Sequence, residues 1–209
     1  MKKQNPLYMI CSDMEGIFTP EIWINVAEKT QIPELRLTTR DVPDYDVLMK
    51  HRLAILHKNG LRLSDIQKVI ASMNPLEGAL DLLNWLRSRH PTIIVSDTYV
   101  EFAGPLLEKM GWPTLFCNSL ILNSGGMIKD YKLRQPDGKR MTVISLKNLN
   151  YKVIGIGDSY NDISMLKEAD IAFLFRPPEN VKKEFTNFPV AETYDDVKRM
   201  IRTVTGADS

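Results

Sequence analysis

The chain has 209 residues, of which 27 are Lys or Arg and 26 are Asp or Glu, so its formal net charge at pH 7 is +1. Hydrophobic residues make up 44% of the sequence, which excludes a disordered or collagen-like chain. The near-neutral charge argues against a nucleic-acid or acidic-membrane partner, because no surplus of positive charge exists to release counterions. The length suits one domain of ordinary size with a small appendage.

No disulfide, signal peptide or membrane helix is expected. Cys11 and Cys117 lie in apolar surroundings, which favours free thiols in a reducing compartment over a single disulfide. The apolar run near the N-terminus covers only residues 7–11, which is too short for a signal peptide. Residues 110–128 are uncharged, but their Pro, Asn and Gly residues favour strands and a turn over a membrane span. We therefore expect a soluble, cytoplasmic protein.

The first third of the chain changes from a strand pattern to a helical pattern. Residues 7–11 form a continuous apolar run, which predicts a buried parallel strand. From residue 20 to about residue 73, apolar residues recur three times at helical spacing, and no strand is apparent. This stretch is predicted to be a small helical unit.

Helices and strands alternate in the rest of the chain. A helix is expected after Pro75, a buried strand at 92–95, and another helix at about 100–110. The Asn, Ser and Gly residues at 123–126 indicate the turn of a β-hairpin within residues 114–135. The remaining predicted elements are a helix at 139–150 with Val143, Ile144, Leu146 and Leu149 directed inward, strands at 152–156 and 171–175, and helices at about 160–169 and 194–204.

This alternation predicts an α/β fold with a doubly wound parallel sheet, in which helices cover both faces. The helical stretch interrupts the alternation and predicts two parts. Residues 1–19 and 75–209 would form the core, and residues 20–74 would form an inserted helical domain. Exposed sheet edges and a helical insert favour a homodimer.

Polar side chains follow three of the predicted strands. Asp13 and Glu15 follow the first strand, and Ser96 and Asp158 each follow a later one. Ligands of open α/β sheets bind beyond the carboxyl ends of the strands, so these side chains are expected in one crevice. A single acidic residue after a strand means little, because turns use Asp freely. The combination indicates a catalytic site.

Four segments resemble the motifs of the haloacid dehalogenase-like (HAD) phosphohydrolases. They are Asp13-Met14-Glu15-Gly16, Ser96 after an apolar strand, Lys139, and the segment from Gly157 to Asp162. The first motif of this family is usually Asp-x-Asp-x-Thr/Val, so Glu15 is a departure. The bifunctional phosphoserine phosphatase/homoserine phosphotransferase branch carries Asp-x-Glu-Gly there, and the resemblance to it covers essentially the whole chain. It implies a Rossmann-like HAD core, the β-hairpin, and a small helical cap formed by residues 20–74.

The resemblance implies a phosphatase with a covalent intermediate. Asp13 would attack phosphorus, and Glu15 would be the acid for the leaving oxygen and then the base for the incoming water or alcohol. Mg²⁺ would be held by Asp13, the backbone carbonyl of Glu15, Asp158 and waters, with Asp162 as a hydrogen-bond acceptor for those waters. The three aspartates and a phosphate dianion carry a formal charge of about −5, and Mg²⁺ with Lys139 supplies about +3.

The resemblance also implies which residues hold the phosphate group. Ser96 Oγ and the backbone N–H groups that follow it, beginning at Asp97, would bind the phosphate oxygens. Lys139 would neutralise the charge that develops during transfer. Asn161 would contact the phosphate or orient Asp162.

Two residues of the helical insert are implied to recognise the amino-acid part of O-phospho-L-serine. Arg52 would pair with the carboxylate of the substrate, and Glu21 with its ammonium group. An exposed helix face is the alternative interpretation of Arg52, which stands next to Lys50 and His51.

Other functions stay open from the sequence alone. A phosphatase for another small phosphomonoester would share the core motifs and differ in its cap, and transfer to homoserine is an alternative outcome to hydrolysis. A serine esterase with Ser159 as nucleophile would have its His base later in the chain, yet all three histidines precede Ser159. A chain that only binds phosphorylated ligands would not require an intact Asp13.

Overall fold

The computed structural model describes residues 6–39, 41–42 and 44–206. The strands in these residues form one sheet, and in chain order they are β1 (Tyr8–Ser12), β2 (Thr92–Tyr99), β3 (Leu115–Leu122), β4 (Ile128–Lys132), β5 (Lys152–Gly157), β6 (Ile171–Phe175) and β7 (Val190–Ala191). Their order across the sheet is β4-β3-β2-β1-β5-β6-β7. Neighbouring strands are parallel except β3 and β4, which form an antiparallel hairpin.

Helices connect the strands. In chain order they are α1 (Ile22–Thr30), α2 (Tyr45–Lys58), α3 (Leu63–Ser72), α4 (Ala79–Arg87), α5 (Val100–Lys109), α6 (Gly138–Asn148), α7 (Ile163–Glu168), α8 (Glu179–Glu184) and α9 (Tyr194–Thr205). Two short 3-10 turns span Pro33–Arg36 and Tyr160–Asp162.

The central strand β1 is covered on both faces. Its side chains alternate, so Ile10 belongs to one apolar cluster and Met9 and Cys11 belong to the other. All three side chains are buried, as expected for a parallel strand between two helical layers. The predicted doubly wound α/β sheet and the predicted β-hairpin are therefore confirmed.

The helical insert contacts both the sheet and its flanking helix. α3 packs against α5, and α2 packs against β4. Hydrogen bonds reinforce the contact with the hairpin, since His57 Nε2 lies 2.7 Å from the carbonyl oxygen of Ile128 and the N–H of Leu63 donates to the carbonyl of Gly126 at 3.0 Å. The division into a core (1–19 and 75–209) and an inserted domain (20–74) stays a prediction.

Some local predictions are wrong or incomplete. Residues 160–169 do not form one helix, because a 3-10 turn precedes α7. Leu149 does not point inward: α6 ends at Asn148, and the Leu149 side chain just beyond is 67% exposed. α8 and β7 were not predicted, since an element of six or two residues shows too little periodicity to be recognised.

The cysteines behave as predicted. Cys11 is a buried free thiol and Cys117 is a half-buried one. Among the helices that the structure describes, none has the length and apolar character needed to cross a bilayer.

Candidate active site

The carboxyl ends of neighbouring strands bring three aspartates together. β1 lies beside β5 in the sheet, so Asp13 and Asp158, which directly follow these strands, become neighbours. Asp162 joins them from the next turn, and the carboxylate oxygens of the three residues lie within 4.8 Å of one another. All three side chains are buried. The sequence prediction of a shared crevice is consistent with this geometry.

Lys139 reaches this cluster from the first turn of α6. Its Nζ lies 2.7 Å from Asp162 Oδ1, 3.0 Å from Asp13 Oδ1 and 3.5 Å from Asp97 Oδ2. Burial favours the neutral amine, but the neighbouring carboxylates outweigh burial and raise the pKa of Lys139 well above its ordinary value. Lys139 is therefore a buried ammonium group that faces the aspartates.

A tight turn after β5 fixes Asp162. Its Oδ2 accepts hydrogen bonds from the backbone N–H groups of Asp158 at 2.9 Å and Ser159 at 3.2 Å. Gly157 makes this possible, because a Cβ atom there would lie 2.6 Å from Asp162 Cγ. The spacing of Asp158 and Asp162 would place both on one face of a regular helix, but no regular helix spans them. Asp158 precedes the 3-10 turn, and the turn itself brings the two carboxylates together.

The site carries more buried negative charge than its lysine can neutralise. Burial, followed by repulsion from Asp162, raises the pKa of Asp13 well above its ordinary value despite the proximity of Lys139. The same two causes raise the pKa of Asp158 to about 7. A set of hard oxygen ligands with excess negative charge suits a divalent cation such as Mg²⁺.

Glu15 follows β1, and its side chain reaches the N-terminus of α1. Its Oε2 accepts a hydrogen bond of 2.7 Å from the backbone N–H of Ile22. Burial and the nearby Glu21 raise the pKa of Glu15 to about 8, although the hydrogen bond from Ile22 opposes this shift. A carboxyl group that is protonated near neutral pH can donate a proton to a leaving group.

Gly16 allows the chain to turn away directly after Glu15. Its φ angle is +77°, and a Cβ atom there would lie 2.7 Å from Asp158 Cγ. A side chain at this position would therefore be strained in its backbone and would displace one of the aspartates.

Without a divalent cation, the thermal stability of this protein is expected to rise as the pH is lowered from about 8 to about 5. Asp158 and Glu15, with pKa values of about 7 and about 8, hold protons in the folded state that the unfolded chain has released. A higher pH therefore favours the unfolded chain. Thermal melts in EDTA across this range measure the effect.

The matched control for this pH effect is Asp158→Asn, because an amide does not titrate. We expect a shallower pH dependence of its melting temperature. A wild-type melting temperature that rose with pH in EDTA would contradict the raised pKa values.

Of the predicted phosphate ligands, Ser96 and Asp97 lie in β2, and Asn161 lies in the 3-10 turn after β5. Ser96 is buried, and its Oγ accepts a hydrogen bond of 3.2 Å from the N–H of Thr98. Asn161 Nδ2 donates to Asp97 Oδ2 at 2.9 Å. The orientation of Asp162 comes from backbone N–H groups and Lys139 rather than from Asn161.

Arg52 and Glu21 share a cavity with the catalytic candidates. This cavity has a volume of about 90 Å³, and its lining includes Asp13, Glu15, Glu21, Arg52 and Lys139. Arg52 is 6% exposed, so the alternative of an exposed helix face is wrong. Its guanidinium group stacks 4.5 Å from the centre of the Trp23 ring.

The guanidinium group of Arg52 is only partly satisfied. Nη2 donates to the carbonyl of Leu37 at 2.7 Å, while the buried Nε has no hydrogen-bond partner. Among the described residues, Arg52 forms no ion pair with a carboxylate. A buried cation of this kind can receive an anionic group of a ligand.

A larger cavity of about 650 Å³ adjoins the first. The two cavities share lining residues, among them Tyr45, Ser96, Asp97, Lys139 and Asn161. Sequence reasoning missed Tyr45, since an aromatic residue at helical spacing resembles a core residue.

The family-model comparison matches residues 20–170 to the haloacid dehalogenase-like hydrolases. The chain is 54% identical over 189 residues to a Pseudomonas aeruginosa protein named phosphoserine phosphatase ThrH, which covers 90% of this chain and 92% of that protein. It is 52% identical over 189 residues to a Pseudomonas syringae pv. tomato phosphoserine phosphatase, which covers 90% of this chain and 80% of that protein.

Solved structures agree on the fold. A substrate-bound phosphoserine phosphatase complex superposes with a TM-score of 0.73 at 19% identity and covers 97% of this chain and 99% of that chain. An apo phosphoserine phosphatase superposes with a TM-score of 0.72 at 20% identity and covers 95% of this chain and 98% of that chain. The acidic residues at the strand ends, the four sequence motifs and the relatives all agree. This chain therefore belongs to the haloacid dehalogenase-like hydrolase family.

Proposed function

We propose that this protein hydrolyses O-phospho-L-serine to serine and phosphate through a transient phosphate ester on Asp13. The observation that carries the proposal is the single cavity in which Asp13, Glu15 and Lys139 lie beside the partly unsatisfied Arg52. The first three residues supply a nucleophile, an acid and a cation, and Arg52 supplies a partner for a carboxylate. The two Pseudomonas relatives bear names that support this substrate.

The reaction would proceed in two displacements. A carboxylate oxygen of Asp13 forms a bond to phosphorus while the bond from phosphorus to the serine Oγ breaks, and Glu15 gives its proton to that oxygen. Glu15 then takes a proton from a water, whose oxygen attacks phosphorus and breaks the bond to Asp13. Lys139 stays protonated throughout and offsets the negative charge.

The residues present fit Mg²⁺. Asp13, Asp158 and the backbone carbonyl of Glu15 would hold the ion, since Mg²⁺ prefers oxygen ligands. Asp162 Oδ2 accepts from the backbone N–H groups of residues 158 and 159, and its Oδ1 accepts from Lys139. The second lone pair of Oδ1 would accept a hydrogen bond from a metal-bound water. When bound, Mg²⁺ would supply positive charge for the phosphoryl oxygens.

The amino-acid part of the substrate would lie against the helical insert. Arg52 would pair with the substrate carboxylate through its unsatisfied face, and Glu21 would meet the ammonium group. We propose that residues 20–74 act as a cap domain whose closure excludes bulk water from the phosphoenzyme. A cytoplasmic location and a homodimer also stay proposals.

Arg52→Ala is expected to raise the KM for phosphoserine by about 30-fold or more and to change kcat far less, because a charge-assisted hydrogen bond to the substrate is lost. Steady-state kinetics with continuous phosphate detection measure both constants. Arg36→Ala is the matched control, since Arg36 is exposed and pairs with Glu28 at 2.8 Å. An unchanged KM with a collapsed kcat would exclude the carboxylate-binding role.

A phosphate-release screen tests the proposed function. The substrates are phosphoserine, phosphothreonine, phosphotyrosine and sugar phosphates, each with and without EDTA and then with added homoserine. We expect the highest kcat/KM with phosphoserine, loss of activity in EDTA and recovery with Mg²⁺. Phosphohomoserine in the homoserine reactions would add transfer to hydrolysis.

The screen also distinguishes the proposed function from the competing ones. A higher kcat/KM with a sugar phosphate would replace the proposed substrate. Cleavage of a p-nitrophenyl ester that EDTA does not affect would indicate the Ser159 esterase, although Ser159 Oγ donates to Asn161 Oδ1 at 2.6 Å and no histidine lines either cavity within the described residues.

A further inference from the structure

Ser96 and Asp97, which are predicted to bind phosphate, lie in a bulge of strand β2. Val95 pairs with Phe116 of β3, and the next pair along the two strands is Tyr99 with Asn118. Three residues of β2, Ser96 to Thr98, therefore lie opposite a single residue of β3. A bulge of this kind interrupts the regular ladder and redirects side chains, so other groups must fix its conformation.

Two side chains from different parts of the fold meet at the backbone carbonyl of Asp97 in this bulge. Asn118 Nδ2 donates to it at 3.2 Å from β3, and the hydroxyl of Tyr45 donates to it at 3.1 Å from the first residue of α2. Asn118 is buried and Tyr45 is half-buried. One carbonyl oxygen therefore joins the sheet, the bulge and the helical insert.

Both donors are themselves held in place. The hydroxyl groups of Tyr45 and Tyr99 lie 2.7 Å apart, so with Tyr45 donating to Asp97, Tyr99 donates to Tyr45. Asn118 Oδ1 accepts a hydrogen bond of 3.0 Å from the N–H of Arg134, which turns the amide nitrogen towards Asp97. These contacts give each donor a defined direction.

We propose that Tyr45 and Asn118 are positioning residues that fix the Asp97–Thr98 peptide plane and so set the affinity of the site for phosphate. This inference rests on the proposed function. The orientation of the Asp97 carbonyl determines that of the following N–H, and the N–H of Thr98 already holds Ser96 Oγ at 3.2 Å. Movement of this carbonyl therefore moves the groups expected to bind phosphate oxygens.

The contact also connects the helical insert to phosphate binding. Tyr45 begins α2, the helix that carries Arg52, and it lines the cavity with Asp13. When the N-terminus of α2 is docked, the Tyr45 hydroxyl holds the bulge. In an open state of the proposed cap, Asn118 would be the one remaining side-chain donor of the two to the Asp97 carbonyl. Binding of phosphate would thus favour the docked insert, and docking would favour binding, because the coupling of two sites is reciprocal.

The test is the affinity of the Mg²⁺-loaded protein for inorganic phosphate, measured by titration calorimetry. Tyr45→Phe removes only the hydroxyl group, and Asn118→Ala removes the second donor. Each single variant is expected to bind phosphate about fivefold more weakly, the effect of one lost hydrogen bond. The phosphate affinity of the double variant is expected to fall by more than the product of the two single effects. The reason is that in each single variant the remaining donor still holds the Asp97 carbonyl.

Tyr131→Phe is the matched control. The Tyr131 ring packs edge-on at 5.7 Å from Tyr45, but its hydroxyl donates to Asp46 at 2.7 Å and takes no part in the bulge. We expect its phosphate affinity to equal that of the wild type. An equal loss of phosphate affinity in Tyr131→Phe would overturn the inference, because looser packing among Tyr45, Tyr99 and Tyr131 would then explain the effect.

A purely structural role gives a different result. Tyr45→Phe would then lower the melting temperature and leave the phosphate Kd unchanged, which overturns the inference. A loss of phosphate affinity in the double variant equal to the product of the two single losses would also overturn the inference, because the two donors would then act independently. The phosphoserine screen of the wild type decides the proposed function independently, because phosphate is a product of any phosphomonoester that this site cleaves.

Discussion

Asp13→Asn is expected to abolish phosphoserine turnover, with a fall in kcat of at least about 10⁴-fold. An amide oxygen is too weak a nucleophile to attack phosphorus. The variant is expected to fold, because burial already raises the pKa of Asp13 and disfavours its charged form. Phosphate release measures the turnover, and thermal melting in EDTA measures the stability.

A covalent intermediate gives a second, direct readout. Acid-quenched wild-type enzyme is expected to carry phosphate on Asp13, and Asp13→Asn is expected to carry none. The matched control is Asp195→Asn, since the Asp195 side chain is 89% exposed and pairs only with Lys198 at 3.5 Å among the described residues. Turnover by Asp13→Asn within about tenfold of the control would remove covalent catalysis from the mechanism.

The positions of the strands could be predicted because a parallel sheet buries its central strands on both faces. The runs at 7–11, 92–95 and 171–175 are apolar for this reason, and polar residues after a buried strand predict the catalytic edge. The short α8 and β7 could not be predicted, because their positions depend on tertiary contacts. Leu149 is apolar yet exposed, which periodicity alone cannot distinguish from a core position.

The identities of the site residues were easier to predict than their contacts. Asp13, Asp158 and Lys139 stand out by position or motif, whereas the role of Asp162 depends on two backbone N–H groups that a pattern does not show. Tyr45 was missed because its hydroxyl reaches the bulge only after α2 packs against the core. Long-range contacts of single polar atoms require the folded structure.

Lys139→Met is expected to destabilise the protein by about 3 kcal/mol at about pH 8, because a buried cation is removed from among carboxylates. The ammonium group lies within 3.0 Å of both Asp13 and Asp162. Methionine keeps the apolar length of the side chain, so packing changes little. Catalysis is expected to fall by about 10³-fold, since charge on the transferred group is no longer offset.

The loss of stability in Lys139→Met should depend on pH. Without the lysine, the raised pKa values of Asp13 and Asp158 rise further, so the folded state takes up protons that the unfolded chain has released. The destabilisation is therefore larger at about pH 8 than at about pH 5.5, where the carboxyl groups of Asp13 and Asp158 keep their protons in the folded state with or without the lysine. Urea denaturation in EDTA at both pH values measures the difference.

Lys147→Met is the matched control for this experiment, because Lys147 stands on the same helix and its half-exposed ammonium group donates to the carbonyl of Glu168 at 2.7 Å. We expect a loss below about 1 kcal/mol that is nearly independent of pH. An equal loss for Lys139→Met at both pH values would mean that its methylene packing, rather than its charge among the aspartates, stabilises the fold. A loss of stability that is larger at the higher pH would instead identify Lys139 as the cation that stabilises three carboxylates in one buried site.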